Sequence, residues 1–275
     1  MKAFSVASWN VKHFQGKEAR VDRVVEFLKK RNPDLFALYE VTGAEVFGEL
    51  SSRFPGYTFQ ITEGPQTQEI LVGVKSSITA FITQKVEFKA GATNMRPGSL
   101  VTVTLDGSNY ALLFLHLASG DNPRGMGLRD EMLHRATKFR KVLDTLAGGK
   151  GKAHYIFLGD LNTMGLEYPY DRDIKPELEL KRTDTRASQY WGMRRLSKTS
   201  PVTWTGGSGS SLPDSNLDHV YASKNLKFKK FTDKDGKDTD VLVTGWVDHD
   251  GEDRDRWRDE YSDHSMLYFE VQKPE

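Results

Sequence analysis

Residues 155–162 read Tyr-Ile-Phe-Leu-Gly-Asp-Leu-Asn, a short apolar stretch followed at once by a glycine and two polar side chains, Asp160 and Asn162. Four consecutive apolar residues bounded by turn formers are typical of a fully buried strand. A sheet holds the polar groups at the end of such a strand in fixed register, as a catalytic site requires. The stretch therefore predicts both a central strand and a candidate site at its end.

The same design, an apolar strand with polar side chains at its end, recurs along the whole chain. The other places are Ser8-Trp9-Asn10, Tyr39-Glu40, Leu115-His116-Leu117, Leu217-Asp218-His219 and Ser262-Asp263-His264. Between the strands, helical periodicity predicts helices over residues 17–30, 43–53 and 128–146. Many strands with few helices predict an α/β (α+β) fold of two packed, mostly antiparallel sheets flanked by helices. We expect one domain over residues 1–275, with irregular chain at 165–213 and an exposed, charged loop at 248–263.

Composition excludes several classes of function. The 275 residues contain no cysteine, which excludes thiol catalysis, Cys-ligated metals, iron–sulfur clusters and disulfides. The 39 Lys and Arg residues balance 38 Asp and Glu residues to a net charge of +1, so affinity for nucleic acid requires a local patch. The sequence has no apolar run of membrane-spanning length and no signal-peptide core at its start. We therefore expect a cytoplasmic protein without membrane insertion, and a monomer by default.

The polar side chains at the strand ends are oxygen donors and imidazoles. They are Asn10, Glu40, His116, Asp160, Asn162, Asp218, Asp263 and His264. Carboxylate and amide oxygens without thiolates suit a hard cation such as Mg²⁺ or Mn²⁺ better than zinc. An aspartate that orients a histidine suits a general base. Together these groups predict metal- and His-assisted attack of water on a phosphoester.

The motifs, taken in this order from residue 8 to residue 265, resemble the endonuclease/exonuclease/phosphatase superfamily, in its deoxyribonuclease-I-like form. The resemblance implies a four-layer α/β sandwich and a divalent-metal-dependent phosphoric ester hydrolase. It implies Glu40 as the principal metal ligand, with Asn10 orienting it and reaching the metal and substrate, and Asp263 near a metal.

The resemblance also implies roles for the remaining site residues. Asp160 and Asn162 would bind or polarise the phosphate and the attacking water, and His116 would contact the phosphate or protonate the leaving oxygen. His264, supported by Asp218, would be the base or a phosphate contact. Family members differ over whether the group matching Asp160 or the one matching His264 takes the proton of the water, and both assignments stay open here.

Two positions depart from the family's usual pattern. The family usually has Gln before the metal-binding Glu, and this chain has Tyr39. The abasic-site nucleases usually carry Asp two residues after the Asn of the first motif, and this chain has Lys12. The second departure disfavours apurinic-site repair.

Residues 181–198, KRTDTRASQYWGMRRLSK, contain six basic residues around Tyr190-Trp191. Basic residues interleaved with aromatic ones suit a nucleic acid backbone, and a solvated loop accounts for the pattern equally well. On the first interpretation Arg194 and Arg195 bind substrate, and Arg96 is a further candidate.

The leading functional hypothesis is a Mg²⁺- or Mn²⁺-dependent nuclease whose partner is DNA or RNA. One alternative is a phosphatase or phosphodiesterase acting on a small or lipid phosphoester, such as an inositol phosphate or sphingomyelin. A further alternative is a catalytically silent binding module. Every motif position keeps a chemically competent residue, which disfavours the silent module, and the chain has no exposed apolar hairpin of the kind expected for lipid substrates.

Overall fold

The computed structural model describes residues 1–15, 18–42, 44–63, 69–85 and 96–273. The chain divides into two compact units, each assembled from segments that are distant in sequence. Unit 1 comprises Met1–Ala80, Ser197–Ser215 and Lys227–Glu275, and unit 2 comprises Phe81–Leu196 and Asn216–Leu226. The single domain predicted over residues 1–275 stays a prediction.

The helices and strands alternate irregularly along the chain. In order they are β1 (Lys2–Phe14), α1 (Glu18–Arg31), β2 (Leu35–Val41), α2 (Ala44–Arg53), β3 (Tyr57–Ile61), β4 (Glu69–Lys75), β5 (Thr79–Lys85), β6 (Gly98–Leu105), β7 (Ser108–His116), α3 (Pro123–Leu146), β8 (His154–Asp160), α4 (Pro176–Trp191), β9 (Met193–Arg195), β10 (Asp218–Ser223), β11 (Phe231–Thr232), β12 (Asp238–Thr239), β13 (Leu242–Thr244), α5 (Gly251–Glu260) and β14 (Met266–Gln272). A short 3-10 turn, Trp246–Asp248, precedes α5.

Unit 1 is built on a six-stranded sheet with the order β13-β14-β1-β2-β4-β3. β1 and β2 are parallel, and β14, β4, β3 and β13 join antiparallel. The apolar stripe predicted for the first helix is buried against this sheet, in a core that also contains Trp9, Phe36 and Leu50 of α2. This confirms the predicted helix within the described residues; its predicted first residue, Lys17, lies outside them, as does Gly43 of the second helix.

Unit 2 is built on a second six-stranded sheet, with the order β5-β6-β7-β8-β10-β9. β7 and β8 are parallel, whereas β6–β7, β8–β10 and β9–β10 are antiparallel. α3 buries Met132 and Ala136 against Tyr155 and Phe157 of β8. The Asn122 side chain caps α3 by accepting a hydrogen bond from the Gly125 backbone N–H at 2.9 Å. Two mixed sheets with helices confirm the predicted fold class.

Two helices lie where the sequence predicted irregular chain, and both of those predictions were wrong. α4 falls within 165–213, and α5 falls within the tract expected to be an exposed loop. Neither helix has an apolar stripe for periodicity to detect. Within α5 the buried residue is Trp257, and α4 buries Glu179 and Thr183 beside Leu180 and Ala187. Their helical form depends on tertiary partners that the local pattern does not contain.

Among the described residues, no helix has the length and apolar character needed to cross a membrane.

Asp34, just before β2, ties three strands of unit 1 together. Its carboxylate accepts hydrogen bonds from the Lys2 ammonium at 2.9 Å, the Ser5 backbone N–H at 2.9 Å and the Lys75 ammonium at 3.0 Å. Burial by itself would raise the pKa of Asp34, but the hydrogen bonds from Lys2, Lys75 and Ser5 outweigh it and lower the pKa to about 2.

A carboxyl whose pKa is lower in the folded state stabilises the fold fully above its unfolded pKa, about 4, and loses that contribution as the pH falls through about 2. Asp34→Asn should therefore lower the free energy of unfolding by about 2 kcal/mol at pH 7, and the loss should shrink between pH 4 and pH 2. Urea unfolding of both proteins across this range measures the effect. Asp235→Asn, at a side chain that is 77% exposed, is the control. A loss for Asp34→Asn that stays constant with pH would contradict the assignment.

Candidate active site

Strands β1 and β2 leave their regular pairing where two of the predicted site residues stand. The parallel ladder runs to the pair Asn10–Tyr39 and resumes at Phe14–Val41. Between these pairs β1 has three residues and β2 has one, Glu40, so β1 bulges there. β2 in turn breaks its register with β4 between Leu38 and Val41. Such bulges redirect side chains at the end of a sheet and are frequent next to active sites.

The bulge is strained, and hydrogen bonds among its own residues and Asn10 hold it. Lys12, His13 and Glu40 have φ of 43°, 44° and 61°, in the left-handed region that non-glycine residues rarely adopt. The Asn10 amide donates to Glu40 Oε1 at 3.1 Å, and the His13 backbone N–H donates to Glu40 Oε2 at 2.9 Å. The Lys12 N–H in turn donates to Asn10 Oδ1 at 2.9 Å. The Glu40 carboxylate is thereby fixed in place, as its implied role as a metal ligand requires.

Arg20 on α1 secures the same bulge, a role that no sequence motif indicates. Its guanidinium donates to the carbonyls of Val11 and Lys12, the latter at 2.9 Å, and to the Tyr261 carbonyl at 2.8 Å. Burial lowers the pKa of Arg20, and the nearby Asp263 carboxylate acts in the opposite direction. In the sequence Arg20 is indistinguishable from the other basic residues on the polar face of α1. Its hydrogen-bond partners can be identified only from the fold.

His13 is the second residue that the sequence motifs did not single out. Its Nδ1 lies 3.4 Å from Glu40 Oε2, and its side chain is 63% exposed. It stands three residues after Asn10, within the bulge. Recognising it would have required the unusual backbone of residues 11–13.

Hydrogen bonds connect the Ser-Asp-His motif before β14 to residues 9 and 10 of β1. The Ser262 hydroxyl donates to the Asn10 carbonyl at 2.7 Å and accepts the His264 N–H at 3.1 Å. The Trp9 indole N–H donates to the His264 carbonyl at 2.8 Å. Unit 1 therefore gathers one set of predicted residues, which we call half-site 1: Asn10, Glu40, Asp263 and His264.

In unit 2 the strand register alone lines up three predicted residues. His116 ends β7 and pairs with Asp160 at the end of β8, and Asp160 pairs with Asp218 at the start of β10. His116 Nε2 lies 3.6 Å from Asp160 Oδ2, and carboxylate oxygens of Asp160 and Asp218 lie within 4.8 Å of each other. All three are buried. Neighbouring buried carboxylates repel each other, so a positive charge beside them would stabilise the row.

Asn162 completes this group through a tight turn after β8. Its N–H donates to Asp160 Oδ1 at 3.0 Å, its φ is 48°, and its side-chain amide donates to the Leu117 carbonyl at 3.1 Å. The Arg96 guanidinium donates to the same Leu117 carbonyl at 3.3 Å, which places Arg96 beside Asn162. We call this set half-site 2: Arg96, His116, Asp160, Asn162 and Asp218.

The backbones of the other two arginine candidates lie away from the level of Asp218. Arg194 and Arg195 pair with Ala222 and Tyr221, which are three to four residues along β10 from Asp218, or about 10–13 Å at the rise of a strand. Arg195 donates to both carboxylate oxygens of Asp184 on α4, at 3.0 and 2.9 Å. Their role in substrate binding stays a prediction. The expected loop around them is the end of α4 followed by β9.

A buried ion pair fixes the loops that follow β7 and β8. Arg129 of α3 is fully buried and donates to Glu179 of α4 at 2.8 Å and to the Gly165 carbonyl at 2.7 Å. It also donates to the Gly120 carbonyl, while Glu179 accepts the Gly165 N–H at 2.8 Å. Gly165 has a φ of 79°, and a Cβ there would lie 2.2 Å from the Ile174 carbonyl. The pair thus organises the chain immediately beyond His116 and Asn162.

Removing one partner of this pair should be far more costly than removing both. Arg129→Met leaves the Glu179 carboxylate buried without its cation and should lower the free energy of unfolding by about 3–5 kcal/mol. Arg129→Met combined with Glu179→Leu should recover a large part of that loss. Arg135→Met on the same helix, which breaks an exposed pair with Glu131, should cost below about 1 kcal/mol. Urea unfolding compares the four proteins; a double variant less stable than Arg129→Met would contradict the assignment.

Solved structures share this fold at low sequence identity. D. rerio TDP2, complexed with a single-strand DNA product, is 20% identical with a TM-score of 0.64, over 98% of this chain and 99% of that one. A variant of the Neisseria 3′ phosphatase NExo, bound to a product DNA hairpin, is 15% identical with a TM-score of 0.64, over 98% and 100%. The Bacteroides thetaiotaomicron mannosyl-6-phosphatase Bt3783 is 14% identical with a TM-score of 0.60, over 98% and 100%.

No curated protein matches the chain. The sequence model of the Endonuclease/Exonuclease/phosphatase family matches residues 7–264, a range that includes every residue of both half-sites. This confirms the resemblance read from the motifs, and with it the expectation of a metal-dependent phosphoric ester hydrolase. The chain belongs to the Endonuclease/Exonuclease/phosphatase family.

Proposed function

We propose that the protein is a nuclease that hydrolyses DNA or RNA phosphodiesters with Mg²⁺ or Mn²⁺. The observation that carries the proposal is the Glu40 carboxylate, held in a strained bulge by Asn10 and the His13 N–H. The family match supports the reaction class, because it includes every residue of both half-sites. The proposal requires residues 1–275 to act as one catalytic domain.

The donor set of half-site 1 fits a hard divalent cation. Glu40 would hold the ion, and Asn10 orients the carboxylate through its hydrogen bond at 3.1 Å. Carboxylate and amide oxygens are the ligands that Mg²⁺ and Mn²⁺ prefer. When bound, the ion would offset negative charge on the phosphate oxygens.

The remaining chemistry belongs to side chains that the fold has already oriented. In half-site 2, Asn162 is aligned by its turn with Asp160 and would polarise the phosphate, while Arg96 would bind it. His116, beside Asp160, would donate a proton or hydrogen bond to the leaving oxygen. Either Asp160 or His264 would accept the proton of the attacking water. Preorganised groups of this kind need little rearrangement as charge develops.

A nucleic acid substrate is supported by two structural neighbours that carry DNA products, one single-stranded and one a hairpin. A small phosphate monoester is the second candidate, favoured by the likeness to the mannosyl-6-phosphatase. The two candidates differ in how much substrate lies beyond the reacting phosphate, so a comparison of polymer and small substrates separates them.

A substrate panel tests the proposed reaction. Supercoiled plasmid, single-stranded DNA and RNA, inositol phosphates, mannose 6-phosphate and sphingomyelin would be incubated with Mg²⁺ or Mn²⁺, then with EDTA. We expect cleavage of nucleic acid that stops on chelation. Activity that persists in EDTA would contradict the metal dependence, and turnover of small or lipid phosphoesters alone would replace the nuclease by the second candidate.

His264→Ala should lower kcat on nucleic acid by about 10²–10⁴-fold, the usual contribution of a group that moves a proton. His134→Ala, an exposed histidine on α3, is the matched control and should leave kcat unchanged. Steady-state cleavage of a fluorescent oligonucleotide measures both. Equal rates for His264→Ala and the control would remove His264 from the mechanism.

A further inference from the structure

We propose that Lys12 supplies a built-in positive charge at Asp263, so that half-site 1 binds one divalent cation, on Glu40, and none on Asp263. The inference rests on the proposed function, because it concerns the metal of the same site. The resemblance to the family implied that Asp263 lies near a metal, and this inference differs from that expectation. The abasic-site nucleases usually have Asp where this chain has Lys12, and the inference assigns a role to that difference.

The Lys12 ammonium lies 3.1 Å from Asp263 Oδ2. The Asp263 side chain is 14% exposed and that of Lys12 is 47% exposed, so the pair is partly shielded from water. A close ion pair with one partly buried member is screened less than a surface pair. The ammonium therefore contacts one of the two carboxylate oxygens through which Asp263 could bind a cation.

The backbone at both ends of this pair is fixed. Lys12 has a φ of 43°, its N–H donates to Asn10 Oδ1, and its carbonyl accepts from the Arg20 guanidinium. The Asp263 carbonyl accepts the Thr205 N–H at 3.0 Å. Because neither residue sits in a loose loop, the ion pair belongs to the bulge itself.

A second positive charge acts on the same carboxylates. Burial lowers the pKa of Arg20, while Asp263 and Glu40 both act to raise it. The charge of the Arg20 guanidinium is therefore felt at both carboxylates, in addition to the Lys12 ammonium at Asp263. A divalent ion on Asp263 would meet the Lys12 ammonium at close range. Glu40 accepts hydrogen bonds from the Asn10 amide and the His13 N–H, with the His13 imidazole Nδ1 3.4 Å from its Oε2.

The test is Mn²⁺ binding by isothermal titration calorimetry on the full chain, without substrate. Lys12→Met combined with Asp263→Asn removes both charges together, so the net charge of the site is conserved. We expect the Mn²⁺ affinity of this double variant to stay within about threefold of wild type, whereas loss of a true ligand costs at least about tenfold. Glu40→Gln, as the ligand control, should lose at least about tenfold.

Lys12→Met alone provides the second measurement and should expose Asp263 to cations. We expect a second Mn²⁺ per chain or at least a several-fold gain in affinity, while Lys12→Arg should behave as wild type. A tenfold loss in the double variant, or no change for Lys12→Met, would overturn the inference. Unchanged binding for Glu40→Gln would instead overturn the proposed function on which it rests. Far-ultraviolet circular dichroism confirms that each variant is folded.

Discussion

The backbone bulge that carries Glu40 is the constraint on which half-site 1 depends. Three residues of β1 face one of β2, and the resulting left-handed conformations cost free energy that hydrogen bonds to Asn10, Glu40 and Arg20 must offset. The same turn that presents the carboxylate also delivers Lys12 to Asp263. The break in the parallel pairing of β1 and β2 therefore accounts for the strained backbone, for the position of the Glu40 carboxylate and for the Lys12 charge beside Asp263.

Half-site 2 is assembled by a different device. Its row of His116, Asp160 and Asp218 follows from strand register, because three strands of one sheet end or begin at the same level. A buried arginine and glutamate then fix the loops beyond the strands. Regular strand pairing positions the side chains of half-site 2, whereas a break in strand pairing positions those of half-site 1. In both, the polar groups are held by the backbone hydrogen bonds of a sheet, which suits chemistry that requires fixed geometry.

Strand ends could be predicted from the sequence because their signal is local: an apolar run followed by polar residues, as at Asp160 and Glu40. Such patterns, taken in order, predicted the fold class and the family. Features set by distant partners could not be predicted. α4 and α5 lack an apolar stripe, Arg195 is engaged by Asp184, and the role of Arg20 depends on carbonyls of residues 11, 12 and 261. Helices and strands can be predicted from the periodic spacing of apolar residues, but ion pairs and bulges have no such periodic pattern in the sequence.

The proposed function depends most on Glu40 as the metal ligand. The most direct measurement is a crystal structure with Mn²⁺ and an oligonucleotide whose scissile linkage is a slowly hydrolysed phosphorothioate. We expect anomalous density for Mn²⁺ on Glu40 and the phosphorothioate group beside the ion. Mn²⁺ bound elsewhere than Glu40, or a scissile linkage far from the ion, would contradict the proposal.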